Sequence, residues 1–264
     1  MSDTVKSLRL RLQRADQHFA QLNSEISGFI DSVRSGIRGE FNEESGEYVF
    51  WLTGEPPLEW GLLIGEWAHE CRAVLDNVVS ALVIKRGHEV TVKTAFIIAN
   101  DYNRWNGGWG QDLWGLLKSD VALVKKRQPY IRGNKALDHP LSRLSWINNT
   151  DKHRLLHIAA SATRLMPNGW PEKWSCFPSL DEPKGAIVGE ANFHDPLSLT
   201  KASAVFCRVP LVNVGSNPKM HMDGDIPITV SLTGTERPLM LNDILDIRRE
   251  VSEILAEFEP ILTK

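Results

Sequence analysis

Apolar residues recur at helical spacing over long stretches of the chain. From about Val5 to Val33, leucine, isoleucine and phenylalanine return every three or four positions among Arg, Gln and Asp. The stretch from Leu58 to Lys85 repeats this pattern most strongly, between a proline pair and a glycine. Such spacing places apolar side chains on one face of a helix. The pattern therefore predicts a long N-terminal helix and a second helix near 58–86.

Three further helices are predicted on the same grounds. They cover about 111–127, 140–165 and 238–262. The stretch from 88 to 110 instead joins a β-branched run, VTVKTAFII, to the Gly- and Trp-rich NDYNRWNGGWG. That combination predicts a strand followed by a loop.

Short alternating runs bounded by Pro and Gly predict strands in two other regions. One is EYVFWLTG, and the others include SAVFCRVPLVNV and IPITVSLTG. Helices thus dominate the first two thirds and strands the third quarter, which predicts an α+β fold. We expect a helical bundle with a small antiparallel β-sheet, mainly from residues 36–54 and 172–234.

The chain contains no Gly-, Ser- or Pro-rich linker that would mark a domain boundary. A single composite domain over 1–264 is therefore predicted. Its helical part covers about 1–165, its β-rich part about 170–235, and its C-terminal helix about 238–262.

The composition and net charge of the chain bear on its size class, its partners and its location. With 264 residues and 42% hydrophobic positions, the chain can bury a sizeable core. Its net charge of -3 gives no global attraction to nucleic acid or to an anionic membrane. No window reaches the roughly 18 apolar residues of a spanning helix, and the start lacks a signal-peptide core. A cytoplasmic location without a membrane partner is predicted. The 3 cysteines form no C-x-x-C pair, which fits a reducing compartment.

The stretch NNTDKHRLLH, residues 148–157, concentrates polar chemistry beside an apolar run. As a helix start, Asn149 or Thr150 would cap the helix and Asp151 would lie in the favourable first turn. Capping does not explain the cations and histidines that follow at once, which are Lys152, His153, Arg154 and His157. His153 and His157 are four positions apart and would share a helix face. Two bases and a cation would then be presented together.

A second constellation, GEWAHECRAVLDN at 65–77, lies within the helix near 58–86. Glu66 and His69 have the E-x-x-H spacing by which bundle helices present a carboxylate and an imidazole to a metal. With His153 and His157 they would form a His/carboxylate site for zinc or iron. Because a full di-iron set of ligands is missing, metal binding remains an alternative, and no cofactor is predicted.

The region from Lys118 to Arg154 is locally basic. It contains nine lysines or arginines against three acids, a net of +6. Such a region can hold phosphate groups or an RNA backbone, and aromatic side chains nearby can stack on bases. The aromatic residues concerned are Trp105, Trp109, Trp114 and Tyr130. A solvated helix face beside a Trp-rich core would read the same way.

Three segments resemble a family of uncharacterised bacterial proteins. They are LLIGEWAHECRAVLDNVVSALV, KKRQPY and HPLSRLSWINNTDKHRLLH, against GDxLHNLRSALDHL, QPY and HPLxxLxxLNNIDKHRLL. The resemblance covers about residues 58–160 and implies no settled activity. The positions that match are His69, Arg72, Asp76, Asp151, Lys152, His153 and Arg154.

The family pattern R-S-A-L-D-H is also similar to the R-x4-H signature of HEPN-type helical ribonucleases. Those enzymes, often paired as dimers, cleave RNA without metal. Here Arg72 is followed by Asn77 where the histidine would stand. An amide cannot exchange the proton that such cleavage needs.

These observations predict an RNA-cleaving or RNA-binding protein of toxin or phage-defence type, with a homodimer implied by the resemblance. His69, Arg72, His153 and Arg154 are the expected catalytic residues. The supporting residues are Glu66, Asp76, Asn149, Asp151, Lys152 and His157. One alternative is a non-enzymatic protein in which the Arg/Asp/His cluster is a helix-pairing ion network. A second is the His/carboxylate metal-binding bundle.

Overall fold

A computed structural model gives the fold of the chain. It describes all residues except 1, 154–155, 157, 163–176, 181–186, 189–191, 194–196, 200–202, 214–217, 224–227 and 233–238. The protein is α+β and rich in helix, as predicted. None of the described helices is long and apolar enough to cross a membrane.

The helices of the described residues have the following bounds. They are α1 (Asp3–Ser35), α2 (Glu59–Lys85), α3 (Tyr102–Asp112), α4 (Lys118–Lys126), α5 (Pro140–His153) and α6 (Leu241–Thr263), with a 3-10 segment at Pro129–Asp138. The predicted N-terminal helix, the helix near 58–86 and the C-terminal helix are confirmed to within a few residues. Each has an uninterrupted apolar face, which is the strongest local signal for a helix.

The strands of the described residues pair antiparallel. They are β1 (Arg38–Asn42), β2 (Glu47–Thr53), β3 (Ile158–Ala162), β4 (Phe177–Leu180), β5 (Ile187–Val188), β6 (Asn192–Phe193), β7 (Leu197–Leu199), β8 (Ser203–Val212), β9 (Met220–Asp223), β10 (Ile228–Leu232) and β11 (Leu239–Met240). One sheet has the order β1-β2-β8-β5, with β6 also on β8; another has the order β11-β10-β3-β7; and β4 pairs with β9. The strand predicted at EYVFWLTG is confirmed as β2, which forms an antiparallel hairpin with β1.

The chain divides into two compact units. Unit 1 comprises residues 1–22, 59–156 and 241–264, and unit 2 comprises 23–58 and 157–240. Unit 1 holds the helical core, where α2, α5 and α6 pack on one another. Trp60, Trp67 and Phe258 are among its largest fully buried side chains. Unit 2 holds the sheets, with Phe50 and Leu52 of β2 buried.

The predicted helix over 140–165 is wrong in its second half. α5 ends at His153, and Ile158–Ala162 is the strand β3. β3 pairs with β10 on one side and β7 on the other. Small and β-branched residues there tolerate either conformation, so the neighbouring strands decide it by supplying backbone partners.

The predicted helix over 111–127 is instead the end of α3 and all of α4. Between them Gly115 takes a positive φ of 86°. The predicted loop before it is helical, because Asp101 caps α3: the Arg104 backbone N–H donates to its Oδ1 at 2.8 Å. Side-chain capping has offset the poor helix propensity of three internal glycines.

The predicted strand VTVKTAFII is not a strand, although Phe96, Ile97 and Ala99 are buried. Side chains of α2 and of Gln128, which lies between α4 and the 3-10 segment, bind backbone groups in and next to it. Gln128 accepts from the Ala99 N–H and donates to the Ile97 carbonyl, each at 2.9 Å. Buried backbone groups require partners, and here they find them outside a sheet.

Candidate functional site

An open cleft of about 310 Å³ lies within unit 1, between α1, α2 and α5. Eight of the nine residues that line it are polar or charged. The lining residues are Arg14 and His18 of α1, Gly65, Glu66, His69 and Glu70 of α2, and Asn148, Asp151 and Lys152 of α5. We call it the α1–α2–α5 cleft. Three helices thus bring imidazoles, carboxylates and cations to one concave surface.

Two side chains of α1, at the cleft and next to it, contact acidic side chains of α2. His18 Nδ1 lies 3.3 Å from Glu66 Oε2. Next to it, the Arg11 guanidinium donates to Glu70 at 2.8 Å. These contacts hold the two helices together and offset part of the cleft's negative charge. His69 is exposed on the same side of α2.

Asp151 forms the α5 wall and lies against the backbone of α2. A Cβ added to Gly65 would lie 2.2 Å from Asp151 Oδ1 and 2.7 Å from its Oδ2. Burial raises the pKa of Asp151; the nearby His69 opposes this shift and Glu66 adds to it. The carboxyl group therefore retains its proton to higher pH than an ordinary aspartate.

Asp151 lies in the last turn of α5, not in a first turn as predicted, because α5 runs through both asparagines. The carbonyl ends of a helix disfavour a carboxylate. Asn148 is buried at 5% exposure and lines the cleft. Asn149 is exposed, and its amide donates to the Ser145 hydroxyl at 3.4 Å.

Arg72 and Asp76 do not line the α1–α2–α5 cleft. Their side chains are joined by two hydrogen bonds of 3.0 and 2.8 Å. Arg72 also donates to the Phe96 carbonyl at 2.7 Å, and Asp76 accepts from the Phe96 N–H at 2.8 Å. The pair fixes the extended segment around residue 96 to α2.

The remaining predicted residues are only partly described. His153 is the last residue of α5, but its side chain lies outside the described residues. Arg154 and His157 lie outside them altogether. Lys152 is exposed and lines the α1–α2–α5 cleft. Of the ten predicted site residues, Glu66, His69, Asp151 and Lys152 come together there.

The basic region from 118 to 154 meets an acidic helix. Arg127 pairs with α6 acids, which are Glu250, Glu253 and Glu257. Lys126 pairs with Glu257 at 3.0 Å, and Arg143 bonds to Asp243. Three of the nine cations counted in the sequence are thus paired with acids a hundred or more positions away.

The aromatic residues near that region divide between core and surface. Trp105 is buried, and its ring lies 6.1 Å from that of Tyr130. Trp114 is half exposed, and its ring meets His88 edge-on at 5.0 Å. The side chain of Trp109 is outside the described part of the chain.

Arg14 and His18 are candidate residues that sequence reasoning missed. Both lie on a helix predicted for its apolar face alone. The polar face of the same helix carries Arg11, Arg14 and His18 at spacings of three and four, so they share one side. That spacing is a signal, although it does not reveal which helix the face meets.

Within the described part of the chain, no group of three or more His, Cys, Asp or Glu residues is arranged to hold a metal ion. No protein-family model, curated protein or solved structure matches the chain. The resemblance of the three segments therefore stays a prediction, and the chemistry has to be inferred from the cleft.

Proposed function

We propose that the protein is a cytoplasmic, metal-independent ribonuclease and that the α1–α2–α5 cleft is its active site. One observation carries the proposal. The cleft places an exposed histidine, His69, beside a carboxyl group with a raised pKa, Asp151, and adds two cations. A base, an acid and phosphate-binding charges are the groups that RNA cleavage by its own 2′-hydroxyl requires.

The roles follow from position and charge. Arg14 and Lys152 are exposed at the cleft and hold the phosphate. Glu70 is already bound by Arg11, so it repels a phosphate less than an unpaired carboxylate would. His69 accepts the proton of the attacking hydroxyl.

The proposal departs from the HEPN-like pattern in one respect. Arg72, the arginine of that pattern, is bonded to Asp76 and to the backbone of residue 96. We therefore assign it a structural role and place the chemistry one turn earlier on α2, at His69. A toxin or phage-defence setting, in which a small ribonuclease degrades cellular or phage RNA, remains part of the proposal.

The test uses a single-stranded oligoribonucleotide labelled at its 5′ end and the same sequence in 2′-deoxy form, both in EDTA. Wild-type protein is expected to cleave only the RNA and to leave a 2′,3′-cyclic phosphate. His69→Gln should lower the rate at least about 100-fold, the lower range for loss of a general base.

His88→Gln is the matched control. His88 is also exposed and belongs to unit 1, but it contacts Trp114 outside the cleft. This variant should cleave at the wild-type rate. Absence of cleavage by folded wild-type protein, cleavage of the deoxy strand, or an equal loss in both variants would count against the proposal.

The second candidate is a non-enzymatic interaction protein, which the paired charges of unit 1 favour. Arg72, Arg127 and Arg143 all bond to acids within the fold. On this alternative the cleft residues stabilise the packing of helices, and His69→Gln alters neither RNA binding nor cleavage.

A further inference from the structure

Helix α2 approaches the end of α5 through two glycines that are one turn apart. Gly61 faces the Leu156 carbonyl, which would lie 2.5 Å from an added Cβ. Gly65 faces the Asp151 carboxyl group, at 2.2 Å from an added Cβ. Real Cβ atoms do not approach other atoms this closely, so both positions need glycine for the observed packing. The first glycine meets backbone, and the second meets a titratable side chain.

We propose that Asp151 is the general acid of the α1–α2–α5 cleft and that Gly65 is the positioning residue that seats it beside His69. This inference rests on the proposed ribonuclease function. Gly65 and His69 are four residues apart on α2, so they lie on the same face. A carboxyl group seated over Gly65 therefore lies beside the imidazole one turn further on.

The position of Asp151 against Gly65 explains how an aspartate can supply a proton. Contact with the α2 backbone removes water from the carboxyl group, and burial raises its pKa. The last turn of α5 adds unpaired carbonyl groups, which also disfavour the anion. Other charged and titratable groups share the cleft with Asp151. They are Arg14 and His18 from α1, Glu66, His69 and Glu70 from α2, and Lys152 from α5.

His69 and Asp151 are sufficient for both proton transfers of the cleavage step. His69 takes the proton of the 2′-hydroxyl, and the 2′-oxygen forms a bond to phosphorus. The bond from phosphorus to the 5′-oxygen breaks, and Asp151 gives its proton to that oxygen. The products are a 2′,3′-cyclic phosphate and a 5′-hydroxyl. Passage of a proton from His69 back to Asp151 restores the starting state.

Gly65→Ala and Gly61→Ala form a matched pair of substitutions. In G65A the atoms that must move are the far end of the Asp151 side chain, which can rotate away into solvent. In G61A the atom that must move is the backbone carbonyl of Leu156, so the chain that follows α5 must shift away from α2. G65A is therefore expected to keep its stability and change its chemistry. G61A is expected to lose stability and keep its chemistry.

The first measurement needs no activity. In full-length protein labelled with 13C at the aspartate carboxyl carbons, the Asp151 signal is assigned from Asp151→Asn and titrated by NMR. The Asp151 pKa should fall in G65A and stay near the wild-type value in folded G61A. If the Asp151 pKa is equal in wild type and G65A, or shifts equally in both glycine variants, Gly65 does not position Asp151.

The second measurement is the rate of RNA cleavage as a function of pH. At pH 7 the rate should fall up to about fivefold in G65A with KM unchanged, because less Asp151 is protonated. Asp151→Asn should lower it at least about 100-fold. A G65A that lowers the pKa without lowering the rate overturns Asp151 as the acid. If the wild-type protein shows the predicted titration but does not cleave RNA, the ribonuclease proposal is wrong, and the positioning of Asp151 by Gly65 still stands.

Discussion

Helix α2 carries two polar regions that the structure treats in opposite ways. Arg72 and Asp76 bind each other and both backbone groups of Phe96, so their hydrogen bonds are used within the fold. Glu66 and His69, one to two turns earlier, are exposed and line the α1–α2–α5 cleft. Residue types alone do not separate these regions. What separates them is how many hydrogen bonds neighbouring elements supply and how much of each side chain stays exposed.

The same contrast holds between two histidines of unit 1. His139 is buried, and its Nδ1 accepts the Leu141 N–H at 3.1 Å, which caps the start of α5. Burial, with the charges of Arg132 and Arg127, lowers its pKa to about 4. His69 is exposed at the cleft. A buried histidine whose ring nitrogen already accepts a hydrogen bond contributes to the stability of the fold. An exposed histidine beside a carboxyl group is a candidate for catalysis.

The largest effect is expected where a satisfied charge is most deeply buried. Asp120 is 1% exposed and accepts two hydrogen bonds from Arg86 and one from the Leu117 N–H. Asp120→Ala leaves the guanidinium without its carboxylate and should lower the free energy of unfolding by about 3 kcal/mol. Urea denaturation followed by circular dichroism measures the change.

The control for that substitution is Asp3→Ala. Asp3 pairs with Lys6 at 3.1 Å, but its side chain is 99% exposed. Water screens such a pair, so the loss should stay below about 0.5 kcal/mol. Equal losses for the two aspartates would mean that burial does not distinguish satisfied charges from solvated ones in this protein.

A smaller effect is expected from acidification through the titration of His139. Its folded pKa is lower than the ordinary value of 6.5, so the folded state favours the neutral ring. This stability is fully present above pH 6.5 and is lost as the pH falls from 6.5 towards 4, because over that range the unfolded chain gains the proton before the folded protein does. The loss should reach about 2 to 3 kcal/mol, since one pKa unit corresponds to about 1.4 kcal/mol.

His139→Asn isolates that contribution, because asparagine also caps helices and does not titrate. The unfolding free energy of this variant should fall less than that of the wild type between pH 6.5 and 4. Parallel curves for the two proteins would show that His139 does not carry the pH dependence.

The smallest effect, of opposite sign, is expected in the α1–α2–α5 cleft. The pKa of Asp151 is raised in the fold, so stability is lost as the pH rises from the ordinary aspartate pKa to the folded pKa, and the loss is complete above it. Asp151→Asn removes this cost and should stabilise the protein at pH 8 by less than about 1 kcal/mol. Thermal unfolding at pH 8 and pH 4 checks the sign: the gain should shrink at the lower pH. A destabilised variant at pH 8 would place Asp151 with the satisfied charges.

Much of the fold could be predicted from the sequence. The apolar faces of α1, α2 and α6 are long enough to specify helices by themselves. The same reasoning predicted the wrong structure for residues 158–162 and 90–98. The first pairs with β10 and β7, while the second has its backbone bound by Gln128, Arg72 and Asp76. Partners distant in sequence override local propensity in both cases.

The candidate site was predictable in part, for a related reason. Glu66, His69, Asp151 and Lys152 are recognisable as clustered polar residues in two short stretches. Arg14 and His18 lie about fifty residues before the first stretch, so only packing could add them. Arg72 and Asp76 were predicted as site residues but lie outside the cleft, because they bond to the backbone of residue 96. Sequence spacing does not reveal these bonds.

The sequence by itself determined the α+β class, the long helices and the two stretches that hold the chemistry, since helical periodicity and residue type are local properties. Tertiary structure decided that α1 supplies a third wall of the cleft and that acids of α6 pair with three cations of the basic region. It also decided that Asp151 lies at the end of α5 against Gly65. Charge and pKa depend on distance and on water, and both are set by which helices meet.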